Sequence, residues 1–152
     1  MKDLSSANRH RKGQALEALT FFLMKLIDLK YISTRLRGEV TDWVEVDLIF
    51  ENKRFIYRRW QILCKNAPTV SLDDIAKEVG LTYQSKSNVI IVVSTGSISM
   101  EAYKYADLVR AIKPLQIVLL NVNDLKDIAK KPFIFRGKIA SQAPCAFILK
   151  KL

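Results

Sequence analysis

W-Q-I-L-C-K-N, Trp60 to Asn66, is an apolar run that ends on a lysine and an asparagine. Strand alternation puts Trp60, Ile62 and Cys64 on one face and Gln61, Leu63 and Lys65 on the other. The run closes a longer strand, Phe55 to Lys65, bent near Arg58. Before it stands W-V-E-V-D-L-I-F, Trp43 to Phe50. Here Val44, Val46, Leu48 and Phe50 make a wholly apolar face that must be core, while Trp43, Glu45, Asp47 and Ile49 share the opposite face. E-N-K-R joins the two strands as a hairpin turn, with Asn52 suited to positive φ. The strands are therefore antiparallel neighbours, and the carboxylate of Asp47 can converge on the ammonium of Lys65. Such a pair is either an ordinary ion pair across a sheet or the start of a phosphodiesterase site. In the second case a carboxylate holds a divalent metal and a lysine supports the nucleophile or the developing charge.

Working outward, Ala15, Leu16, Leu19, Phe22, Leu23, Leu26 and Ile27 recur at helical steps, which predicts a helix over residues 12–28. Glu17 lies at the margin of its apolar face, four residues after Gly13. Residues 1–12 read as a basic lead-in and 13–152 as one domain. A short extended stretch follows at Tyr31 to Leu36. Ser71 caps a helix that carries Asp73 and Asp74 in its first turn and ends near Gly80. N-V-I-I-V-V-S, Asn88 to Ser94, shows no alternation and reads as a central strand covered on both faces. Ser99 caps a helix to Ala111, Leu115 to Leu120 is another buried strand, and Asn123 caps a short helix. F-I-F-R-G-K-I-A and C-A-F-I-L-K-K read as a C-terminal hairpin of edge strands. The expected fold is α/β, a central mixed β-sheet flanked by helices in the order α-β-β-β-α-β-α-β, with that hairpin added.

Nearly half of the 152 residues are apolar, enough for a real core. The net charge of +10 is the footprint of a protein that meets a polyanion, without separating DNA from RNA or an anionic membrane. Cys64 and Cys145 have no zinc or disulfide spacing and read as small hydrophobes. His10 is the only histidine, which argues against a histidine triad or a multi-histidine metal site. The N-terminus lacks a signal-peptide core, and the longest apolar runs fall short of the roughly 20 residues a membrane span needs. A cytoplasmic location is expected.

K-G-Q-A-L-E (Lys12 to Glu17), V-D-L-I-F (Val46 to Phe50), C-K-N (Cys64 to Asn66) and V-I-I-V-V-S-T-G-S-I-S-M-E-A-Y-K-Y-A (Val89 to Ala106) occur in that order. Together they resemble the restriction-endonuclease-like superfamily, and most of all its Mrr-type restriction endonucleases. The resemblance runs from Lys12 to Leu125, and each motif is short. It implies a mixed sheet between helices, Mg²⁺-dependent cleavage of DNA in a restriction system, and homodimerisation. It further implies that Asp47 binds metal, that Lys65 is the catalytic lysine and that Glu17 supports the site from the first helix. One position departs from the pattern. Leu63 stands where the family has a glutamate or glutamine, and an apolar side chain cannot ligate Mg²⁺.

Three explanations are open. A carboxylate from elsewhere fills the gap, with Glu45 or Glu17 favoured as the source and Gln61 an auxiliary candidate. Alternatively the site is degenerate, and the domain binds DNA or mediates assembly without catalysis. In the third, Gln61 is the true counterpart and Lys65 is displaced. The first is preferred because Glu17, Asp47 and Lys65 survive together. DNA contacts are expected from Arg9, Arg11 and Lys12 ahead of the first helix, and from Arg35 and Arg37 before the Asp47 strand. No specificity domain is evident, as expected if the chain is one domain of a larger enzyme.

Overall fold

The computed structural model describes residues 9–37, 45–57 and 59–148, excluding the side chains of 34–37 and 45–46. Trp43, Val44 and Arg58 lie outside this description. Helix α1 (Arg9–Leu26) is followed by strands β1 (Lys30–Arg37), β2 (Glu45–Glu51), β3 (Arg59–Lys65) and β4 (Thr69–Val70). Then come α2 (Leu72–Ser85), β5 (Val89–Ser94), β6 (Ser97–Ile98), α3 (Met100–Ile112), β7 (Gln116–Leu120), α4 (Val122–Lys130) and α5 (Ile134–Gln142). A 3₁₀ turn, Pro144–Phe147, is the last described element.

The main sheet has the order β1-β2-β3-β5-β7, and β4 pairs with β6 in a small second sheet. β1, β2 and β3 are antiparallel neighbours, whereas β3, β5 and β7 run parallel. This is the mixed, helix-flanked sheet expected from the alternation. β5 and β7 are buried along their whole length, which requires cover on both faces. Leu48, Phe50, Trp60, Ile62 and Ile91 pack with α1, α4 and α5. Ile90, Val92, Ile117 and Leu119 pack with α2 and α3. All the parallel strands of the main sheet therefore end at the same side of the molecule, and Lys65 sits at that end.

Local chemistry sets the boundaries. Residues 9–12, expected in the lead-in, are already helical. α2 runs past Gly80 to Ser85 because Leu81 and Ser85 are buried beyond it; one exposed helical glycine costs only about 1 kcal/mol. Asn121, not Asn123, caps α4. Its side chain accepts from the amides of Asn123 (2.9 Å) and Asp124 (3.1 Å), and Asp124 Oδ2 accepts in return from the Asn121 amide. This is a capping box, and it needs the acid three residues after the cap. Asn52 does not take positive φ; among the described non-glycine residues that conformation falls on Asp28 and Lys86. Instead the Asn52 side chain accepts from the Arg54 amide at 2.8 Å and donates to the Asp28 carbonyl at 3.0 Å.

The expected C-terminal hairpin does not form over the described residues. Residues 134–142 form a helix, with Phe135 and Ile139 buried one turn apart. A short apolar run does not separate strand from helix by period alone, and the four-residue spacing decides here. Among the described residues no strand is added at β7. The Gln142 side chain accepts from the Leu119 amide and donates to the Leu119 carbonyl, both at 2.9 Å, and Arg110 donates to the Ile117 carbonyl.

The loops at the ends of β3 and β5 are pressed together. A Cβ on Gly96 would stand 2.2 Å from the carbonyl oxygens of both Ala67 and Pro68. Because both obstacles are backbone, Gly96→Ala is expected to destabilise the fold by about 1–3 kcal/mol. Urea unfolding would show this as a lower midpoint, and an unchanged midpoint would refute the close approach.

Candidate functional site

β2 and β3 stay in register from Glu51↔Arg59 to Leu48↔Ile62. At the next step the Asp47 side chain enters the ladder. Its Oδ2 accepts the Cys64 backbone N–H at 2.6 Å, where a strand carbonyl would otherwise be. This fork holds a half-buried carboxylate next to the tip of β3.

Lys65 leaves β3 on the α2 side, and its Nζ lies 2.5 Å from Asp74 Oδ1. Asp74 Oδ2 accepts from the Ser71 amide and hydroxyl, so the carboxylate that caps α2 also positions the lysine. Burial acts to raise the Asp74 carboxyl. The hydrogen bonds from Lys65 and Ser71 and the Lys65 charge outweigh it and leave the group below the usual carboxylate range.

One turn further along α2, Glu78 is 2% exposed. Gln61 Nε2 donates to Glu78 Oε2 at 2.5 Å and to the Glu78 carbonyl at 3.1 Å. Gln61 Oε1 accepts from Ser85 at 2.7 Å. The Gln61 amide is thus occupied in holding Glu78 in place. Burial pushes the Glu78 carboxyl up to about 7; the Gln61 hydrogen bond opposes this, the Asp47 charge adds to it, and the Lys77 and Lys65 charges oppose it. Asp47, Glu78 and Lys65, from β2, α2 and β3, therefore share one electrostatic neighbourhood.

On the α1 side, half-buried Glu17 lines a cleft of about 180 Å³ with Arg9, His10, Gly13, Gln14 and Asn66. Burial pushes the Cys64 thiol up, and the charges of Asp47 and Glu17 push it further, which places both carboxylates near the tip of β3. A thiol raised in this way is inert as a nucleophile. The structure thus brings Asp47, Lys65 and Glu17 to one strand end. The side chains of Glu45, Arg35 and Arg37 lie outside the described residues, although the backbones of Glu45 and Arg37 are paired. Arg9 and Arg11 are exposed and Lys12 half-buried on the first turns of α1.

Leu63 packs against the α2–α3 core, so it supplies no oxygen at the position in question. The carboxylates of Asp74 and Glu78 lie on the same α2 side, bonded to Lys65 and Gln61, and sequence spacing does not pick out either as a site residue. A signal was present in D-D-I-A-K-E: Glu78 falls on the same buried arc as Ile75 and Val79, an unusual place for a carboxylate. Among the described residues no group of three or more His, Cys, Asp or Glu side chains is arranged to hold a metal ion. Mg²⁺ asks for less, since one or two carboxylates suffice when water and substrate phosphates complete its shell. Asp47 on β2 and Glu78 on α2 carry hard oxygens of the type Mg²⁺ prefers.

No family model matches the sequence, and no curated protein matches it. Solved structures do. The DNA modification-dependent restriction endonuclease AspBHI aligns with a TM-score of 0.58 and 12% identity, over 88% of this chain and 36% of that one. The present chain thus spans little more than a third of AspBHI. A protein of unknown function, AF1548, aligns with a TM-score of 0.55 and 15% identity, over 81% of this chain and 77% of that one. At these identities the likeness is one of fold. The chain has an α/β fold similar to that of a restriction endonuclease. Among the described residues no helix is long and apolar enough to cross a membrane.

Proposed function

We propose that the chain is a metal-dependent endonuclease of the Mrr type, hydrolysing DNA phosphodiester bonds in the cytoplasm as a homodimer. The observation that carries this reading is the placement of Asp47 and Lys65 together at the tip of the β2–β3 pair, with Glu78 on α2 near enough to feel both charges. Asp47 and Glu78 would hold Mg²⁺, with Glu78 reaching in from α2 to supply the oxygen missing at Leu63. When bound, the ion polarises a phosphoryl oxygen and makes its water a better nucleophile. The Lys65 ammonium, oriented by Asp74, faces the charge that develops on the phosphate. Glu17 supports the site from α1.

A second reading has one observation of its own. Lys65 is already neutralised by Asp74 at 2.5 Å, which suits a fork that binds DNA without cutting it. Supercoiled plasmid incubated with Mg²⁺ or Mn²⁺ separates the two. Because AspBHI is a DNA modification-dependent enzyme, modified and unmodified plasmid are both needed. Nicked or linear product that EDTA suppresses is the expected result. Salt-sensitive binding with no product in either metal would favour the binding module, and no affinity for DNA would overturn both readings.

A further inference from the structure

Lys65 and Asn66 are consecutive at the end of β3, and their side chains leave opposite faces. Lys65 meets Asp74 of α2, whereas Asn66 Nδ2 donates to the Arg9 carbonyl of α1 at 2.8 Å. Around Asn66 lies a second concavity of about 430 Å³, lined by Arg9, Lys12, Asn66, Pro68, Thr95 and Gly96 among others. Among the described residues its only charged lining groups are the two cations.

Its floor is held by the protein's own hydrogen bonds. The Thr95 amide donates to the Lys65 carbonyl at 3.1 Å, and the Thr95 hydroxyl donates to Asn66 Oδ1 at 2.8 Å. The Val122 amide, at the start of α4, donates to the Gly96 carbonyl at 3.1 Å. Gly96 itself admits no side chain, because Ala67 and Pro68 occupy that space. A fixed polar floor under an arginine and a lysine, with no carboxylate among the described lining residues, is suited to a phosphate rather than to a base or an apolar group.

We infer that this cleft receives a non-reacting backbone phosphate of the DNA strand whose reacting phosphate lies at Lys65. The inference rests on the nuclease reading and adds to it the direction in which the strand leaves the fork, from β3 toward the first turn of α1. The chain then grips the strand on either face of the sheet, at Lys65, the last residue of β3, and beside Asn66, which follows it.

The test is the salt dependence of duplex binding in EDTA, followed by fluorescence anisotropy of a labelled DNA. Each neutralised phosphate contributes about 0.9 to the slope of log affinity against log salt. The double variant Arg9→Gln/Lys12→Gln is expected to flatten that slope by about 0.9, losing about 3.5-fold less affinity than wild type between 50 and 200 mM salt. Lys86→Gln/Lys113→Gln removes the same charge at the opposite end of the sheet, where the parallel strands start. It should leave the slope unchanged. Equal flattening by both variants would reduce the cleft to general surface charge, and no change in either would remove the phosphate contact. Either result overturns the inference while leaving wild-type cleavage, and with it the nuclease reading, intact. Failure of wild type to bind DNA would overturn both. Matching melting temperatures show that each variant is folded.

Discussion

Asp47→Asn is expected to lower DNA cleavage by about 10³-fold or more while leaving the fold in place. The substitution is isosteric. The asparagine keeps an oxygen to accept the Cys64 N–H that closes the fork, so β2 and β3 should remain joined. It loses the negative charge that makes a carboxylate a much stronger ligand for a divalent ion than a neutral amide oxygen. Plasmid cleavage across a Mg²⁺ titration is the measurement, with DNA binding in EDTA as its companion. Binding should hold or tighten, because a charge that repels phosphate has gone. Cleavage within about tenfold of wild type would remove Asp47 from the metal site, and loss of EDTA-phase binding would recast it as structural.

Glu78→Gln should abolish a pH dependence of stability. The Glu78 carboxyl stands at about 7 in the folded chain, against an ordinary value of 4.5. Between those values the folded state holds a proton that the unfolded state has released. Stability is therefore greatest below about 4.5 and falls as pH rises through about 7. The gap is worth about 3 kcal/mol. The introduced glutamine does not titrate, so in EDTA the variant should melt higher than wild type at pH 8, by roughly 6–12 °C. At a pH of about 4.5 the two should nearly coincide. Parallel melting curves across that whole pH range would show that Glu78 is ionised throughout. The metal supplies the second half of the expectation. If Mg²⁺ binds the ionised folded form as proposed, it should raise the wild-type melting temperature at pH 8 and do little for the variant. Cleavage by wild type should rise with pH through about 7, and the variant should be inactive at every pH.

The sheet is legible in the sequence because its strands carry two different patterns. In β2 and β3 polar and apolar residues alternate, and the structure sends Phe50 and Trp60 to α1 while Gln61 and Lys65 face α2. In β5 alternation stops, and β5 is central. Asp47, Lys65 and Glu17 are legible because each sits in a short motif. Glu78 is not. Its meaning comes from Gln61, which lies 17 positions away in the chain and meets it only once α2 has folded onto β3. Asp74 reads as a helix-capping acid, which it is, but a local pattern cannot show that its second oxygen takes the lysine at the tip of β3. The C-terminal segment misleads for a related reason. Its apolar residues suit either period, and the partner that decides is the core beneath α5, not the neighbouring sequence.

The side chains along β7 bear on assembly. Gln142 satisfies both outward backbone groups of Leu119, and Arg110 satisfies the outward carbonyl of Ile117. β7 is an edge strand whose template for a further strand is already taken. Two chains cannot therefore merge their sheets across this border without first expelling both side chains. For the proposed homodimer, the described borders that remain are the helical faces and β1, and the choice between them would set how far apart two forks stand on one duplex.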